Sequence, residues 1–138
     1  MTEMLRELLH EGNHTLVVAQ SEIRSFSRRG ITDLYELLHG SPEFLHGASV
    51  ADKVVGKGAA ALMIVGGVAE LYADVVSEDA LALLRKSPVS VTFGQCVPHI
   101  QNRTGTGMCP VEALCQKCTT AAECLPLIES FYQSHTTN

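Results

Sequence analysis

Five small residues, Gly56, Gly58, Ala59, Ala60 and Ala61, stand within six positions of one another, broken only by Lys57. A segment this thin brings backbones together and needs a close-packed partner, a sheet or a second helix. The stretch leading into it is Ser49-Val50-Ala51-Asp52-Lys53-Val54-Val55-Gly56-Lys57. Ser49 is a good N-cap and Asp52 sits three residues on, a variant of the capping box. The reading is therefore a buried helix from Ser49 to the Gly66-Gly67 stop. Its first turns carry Asp52, Lys53 and Lys57, and unpaired charge in an apolar setting is costly. A site is expected here.

The core must be aliphatic. Hydrophobic residues make up 46% of the 138, but Trp is absent and aromatics are only 5%. One domain spanning residues 1–138 suits that length. The net charge of −5 argues against a nucleic-acid scaffold, which normally shows a basic face. The longest apolar candidate, Ala59 to Val65, falls short of the roughly 18 residues of a membrane span. Met1-Thr2-Glu3-Met4-Leu5-Arg6 has no basic region followed by an apolar run, so no signal peptide is read and a cytoplasmic location is expected.

Periodicity supplies the rest. Met4, Leu5, Leu8 and Leu9 recur at helical spacing up to Gly12. Thr15 to Ala19 and Glu22 to Ser27 read as two strands close enough for an antiparallel hairpin, followed by a turn at Arg28-Arg29-Gly30. Thr32 to Leu38 is a short helix broken by Gly40-Ser41-Pro42. Ala69 to Val76 and Val89 to Phe93 read as strands, joined by a helix that Ser77 caps and Pro88 ends. Gln95 to Met108 reads as a long polar loop, a length often tied to function. Pro110 opens one more helix. Thr119 or Thr120 caps the last, which runs to Tyr132 ahead of a frayed tail from Ser134. Strands separated by helices should run parallel. The expected class is α/β: three α-β-α layers around a mixed sheet.

Arg29-Gly30-Ile31, Ala51-Asp52-Lys53-Val54-Val55-Gly56-Lys57, Leu71-Tyr72-Ala73-Asp74-Val75-Val76-Ser77 and Asn102-Arg103 through Gly107-Met108-Cys109-Pro110-Val111-Glu112 together resemble the domain-of-unknown-function family 1893. The resemblance spans nearly the whole chain and implies a cytidine-deaminase-like fold, with a pocket but no defined reaction. True deaminases hold zinc with a His-x-Glu at one helix start and a Pro-Cys-x-x-Cys at the next. The matching positions here are Ser49-Val50-Ala51-Asp52 and Val76-Ser77-Glu78-Asp79, which lack those ligands. Cys109-Pro110 has the reversed order and falls one helix later. No metal and no cofactor are expected at the usual place.

Lys53 and Lys57, four apart on a helix, would share a face and repel unless an anion lay between them. The pocket of the deaminase-like fold opens at this helix N-terminus, where free N–H groups also favour anions. The two lysines are then a phosphate or carboxylate clamp, with Asp52 as cap, lysine partner or general base. Alternatively they form a solvated stripe. Asn102 and Arg103 lie in the Gly-spaced polar loop, with Arg103 suited to bidentate anion recognition. Cys109 precedes a helix N-terminus, where a thiol's pKa falls. Glu112 either caps that helix or acts as a base. The spacing Cys109-x5-Cys115-x2-Cys118-x5-Cys124 contains one ligand-like pair, a weak metal signal. Of six histidines, His99 alone falls in the polar loop.

The expected function is binding of a small anionic, nucleotide-like molecule in a metal-free pocket, extending to a divergent enzyme. Asp52, Glu112 and Cys109 are then the catalytic candidates, and Lys53, Lys57, Asn102 and Arg103 hold the ligand. The rival is a non-catalytic regulatory or redox/metal-sensing protein, with the Gly/Ala-rich helix packed on a second subunit. A homodimer or higher homo-oligomer is expected in either case, with no nucleic-acid or membrane partner.

Overall fold

A computed structural model describes residues 2–28, 31–100 and 110–136. Its elements are α1 (Thr2–Glu11), β1 (Leu16–Ala19), β2 (Ile23–Phe26), α2 (Thr32–Gly40), α3 (Pro42–Leu45), β3 (Ser49–Val55), α4 (Lys57–Gly66), β4 (Glu70–Ser77), α5 (Glu78–Arg85), β5 (Ser90–Val97), α6 (Pro110–Cys115) and α7 (Ala121–Thr136). The strands form one sheet in the order β2-β1-β3-β4-β5. β1 is antiparallel to both β2 and β3, while β3, β4 and β5 run parallel. The class is α/β with a mixed sheet between helical layers. Among the described residues no helix is long and apolar enough to cross a membrane.

The stretch from Ser49 to Val55 is a strand, which corrects the helix expected there. Ser49-x-x-Asp52 imitates a helix cap. But Val50, Val54 and Val55 are β-branched, and the backbone is paired on one side with β1 and on the other with β4. A central strand buried on both faces loses the polar alternation that would have identified it. The helix begins only at Lys57, after Gly56 in extended conformation. Its end at Gly67, with φ of 80°, is as expected.

The two faces of the sheet are covered unequally. On one, α1 alone among the described elements lays Leu5 and Leu9 on Val17, Ala19, Ala51 and Tyr72. On the other, residues of α2 to α7 form the larger core with Leu16, Val18, Val50, Leu71 and Ala73. At its centre α4 is buried without a break from Lys57 to Met63. Gly58 lets α6 come close, since a Cβ there would lie 2.4 Å from Val111 Cγ1. The small-residue run thus packs inside the domain and is not free to meet a second subunit, as the rival reading had required.

Local signals elsewhere act as expected. Ser77 Oγ accepts from Ala80 N–H at 3.2 Å and starts α5. Thr120 Oγ1 accepts from Glu123 N–H while Glu123 Oε1 accepts from Thr120 N–H, a reciprocal box that starts α7. β5 continues to Val97, past the Phe93 end expected for it, so the loop reading from Gln95 began too early. The α7 backbone is helical to Thr136, beyond the expected end at Tyr132.

Candidate functional site

Parallel strands place their ligands beyond their carboxyl ends, where the backbone turns into helices. Here that edge is made by Val55-Gly56-Lys57, by Val76-Ser77-Glu78 and by the chain leaving β5. After Val97 the chain turns back across the sheet. Ile100 N–H donates to Glu112 Oε2 at 3.0 Å, and Ile100 Cγ1 would lie 3.2 Å from a Cβ on Gly56. The α4 N-terminus, Ile100 and α6 therefore converge on one spot.

Glu112 sits at that convergence. It is 2% exposed, and its Oε2 lies 2.8 Å from the position a Gly56 Cβ would take. Its other oxygen, Oε1, is buried with no hydrogen-bond partner among the described residues. Buried polar atoms are almost always paired, so an orphan carboxylate oxygen calls for an explanation. Beside it, α4 begins without any side-chain cap. A helix start offers free N–H groups and partial positive charge to a neighbouring anion, which accounts for the carboxylate's position but leaves Oε1 unpaired.

Lys57 is the first residue of α4 and is also buried. Its Nζ donates to the carbonyl oxygens of Gln116, at 3.1 Å, and of Cys118. The ammonium thus serves the C-terminal end of α6, where carbonyls lack helical partners. Lys53 lies on β3 and points away, its Nζ donating to Asn13 Oδ1 at 3.1 Å. The single helical face that would have joined the two lysines does not exist. They act on opposite faces of the sheet, Lys57 on two carbonyls and Lys53 on one amide oxygen.

Asp52 is opposite Leu16 on β1 and Ala73 on β4. Strand alternation puts it on the face of Val50, towards the larger core. Its Oδ1 accepts from Val54 N–H two residues ahead, at 3.3 Å. Past this contact the burial parity of β3 slips, leaving Val54 exposed and Val55 buried. Burial pushes the Asp52 carboxyl up to about 8, helped by nearby Asp74 and opposed by the Val54 and Lys53 backbone N–H groups. Near neutral pH the side chain is mainly a carboxylic acid, able to donate as well as accept.

Asn102, Arg103 and Cys109 lie outside the described residues. Arg28, beside Arg29 in sequence, is fully engaged: its Nε donates to Asp33 Oδ1 at 2.6 Å and its Nη2 to Glu36 Oε1 at 2.7 Å. His99 is exposed. Cys115 and Cys124 are buried and Cys118 half-buried. A hydrogen bond from Cys124 holds the Cys115 thiol below its usual range, while the same bond, together with burial, holds Cys124 far above it. Among the described residues no three His, Cys, Asp or Glu side chains are arranged to hold a metal ion.

A second polar cluster was missed in the sequence. His10 Nε2 bonds Asp74 Oδ1 and Oδ2 at 2.7 and 2.8 Å, and Tyr72 O–H donates to Asp74 Oδ1 at 2.8 Å. The Arg6 guanidinium lies over the Tyr72 ring, 5.2 Å from its centre. A cavity of about 420 Å³ opens beside it, lined by Glu3, Arg6, Glu7 and His10. The available signal was parity: Tyr72 and Asp74 share the face that α1 covers, and His10 lies in the last turn of α1.

A family profile described as a domain of unknown function, DUF1893, matches residues 4–132. The crystal structure of a DUF1893 family protein from Thermotoga maritima superposes with a TM-score of 0.86 at 23% identity, covering 94% of this chain and 88% of that one. At that identity the likeness speaks for the fold alone. No curated protein matches the chain.

Proposed function

The chain belongs to the DUF1893 family, and from that premise we propose that it is a small-molecule-binding protein of the cytidine-deaminase-like fold, with a metal-free pocket at the carboxyl edge of β3, β4 and β5. The observation that carries this reading is Glu112, a buried carboxylate with one oxygen unpaired among the described residues, beside a start of α4 that no described side chain caps. A ligand with an N–H or O–H donor next to an acceptor answers both features, the donor to Oε1 and the acceptor to the α4 N–H groups. The edge of a nucleobase has that pattern, and Asn102 and Arg103 are the residues assigned to an anionic group such as a phosphate.

If the pocket turns over its ligand, Asp52 enters as a proton donor, being held protonated near neutral pH. Glu112 is then the base, and Cys109 the candidate nucleophile. Lys53 and Lys57 leave the proposed anion clamp, since Asn13 and the α6–α7 carbonyls already hold them.

The test is a native mass spectrum of the untagged protein, followed by thermal melts with nucleoside monophosphates and with inorganic phosphate. Retained mass or a raised Tm with a nucleotide, lost in Glu112→Gln, is the expected result. No retained mass and no shift with any nucleotide refutes the pocket. A response to inorganic phosphate alone refutes the nucleobase half of it.

A further inference from the structure

The two edges of the sheet differ in kind. β2 is four residues long, and it carries Arg24, whose guanidinium stacks over the Phe44 ring at 4.1 Å and bonds Glu22. Shortness and charge are how natural sheets keep an edge from pairing. β5 has neither. Its eight residues, Ser90-Val91-Thr92-Phe93-Gly94-Gln95-Cys96-Val97, include no charge and no proline. All are exposed or partly exposed, Phe93 among them. β4 takes one side of its backbone, and the other has no strand partner among the described residues. The described chain after Val97 turns inward to Glu112, away from that edge.

We propose that the outer edge of β5, unpaired among the described residues, pairs antiparallel with β5 of a second copy, joining two sheets into one of ten strands. Three observations select a second copy as the occupant. A strand edge that recruits a foreign peptide reads it through side-chain pockets at alternate positions. β5 instead offers Thr92, Gly94 and Gln95, which are exposed and small or polar. The strand's lack of charge brings no like-charge repulsion when it meets itself, although the chain as a whole is at −5. A two-fold axis normal to the sheet also keeps each face continuous. Paired residues must then share parity, so the axis passes through a residue rather than between two. Placed at Phe93, it sets two aromatic rings opposite each other, a favourable cross-strand pair, with Val91 facing Gln95 and Thr92 facing Gly94. The pairing is independent of the pocket and leaves the carboxyl edge of the sheet open.

Sedimentation of the full chain from low to high micromolar concentration tests this. The wild type is expected to form a dimer that grows with concentration. Thr92→Lys with Gln95→Lys should weaken it by at least about tenfold by lining both edges with like charge, the two position-92 side chains meeting diagonally across the axis. Ser25→Lys on β2 should leave it unchanged. Circular dichroism checks that each variant is folded. If the double variant fails to fold, amide exchange of the wild type decides: β5 should exchange more slowly at high concentration. A wild type that stays monomeric overturns the proposal. So does a folded double variant that dimerises like the wild type, a loss equally large in Ser25→Lys, or β5 exchange that ignores concentration.

Discussion

Asp52→Asn reads out the half-buried carboxyl on β3 directly. In the unfolded chain Asp52 releases its proton near 3.8, and in the folded protein at about 8. Between those values the folded state binds more protons than the unfolded one. Stability therefore falls as pH rises through the window and levels off above it. The folded protein carries a penalty of about 2 kcal/mol near pH 5, about 4 near pH 7 and about 5 to 6 near pH 9. Asn keeps the shape and still accepts from Val54 N–H, but it cannot ionise. Urea unfolding of both proteins across that range isolates this one group, because other titrations enter both curves alike. The difference in unfolding free energy, variant minus wild type, should grow by about 3 to 4 kcal/mol from acid to alkali. That corresponds to roughly 10 °C in relative Tm. Parallel curves would show that Asp52 ionises normally and would remove it as a proton donor.

Lys57→Met strips the donor from two carbonyls at the end of α6 and should cost about 2 to 3 kcal/mol in urea unfolding; an unchanged midpoint would return Lys57 to the list of free cations. Gly58→Ala drives a methyl into Val111 and should cost about 1 to 3 kcal/mol, with Val111→Ala in the same chain recovering part of it. Additive losses in that double variant would mean the close approach of α4 and α6 is not the cause.

Local chemistry made the helix caps, the hairpin and the end of α4 legible. Ser77, Thr120 with Glu123, and Gly67 each act within a few residues of themselves. β3 was misread because its evidence is not local: its partners β1 and β4 lie on either side in space, and a strand buried on both faces shows no alternation. The error carried into the site. Lys53 and Lys57 were paired by a helix that begins only at Lys57, and the true partners of Lys57 are carbonyls about sixty residues later in the chain. His10 and Asp74 are joined across a similar distance. Asp52 was singled out as charge in an apolar stretch and Glu112 as the carboxylate in the first turn of a Pro-initiated helix, and the first of these cues survives a wrong secondary structure.

The strand order has a consequence for synthesis on the ribosome. After the β1–β2 hairpin, each new strand adds beside one already made: β3 on β1, β4 on β3 and β5 on β4. The sheet can therefore grow in step with emergence of the chain, and α1, which precedes every strand, is at hand to cover one face. The opposite face waits. α4 meets α2, α3 and α5 as the chain lengthens, but its face at Gly58 has no cover until α6 and α7, the last of these elements, come down upon it. A nascent chain halted before them holds a finished sheet and an open apolar helix, the kind of surface that chaperones bind and that aggregates when they do not.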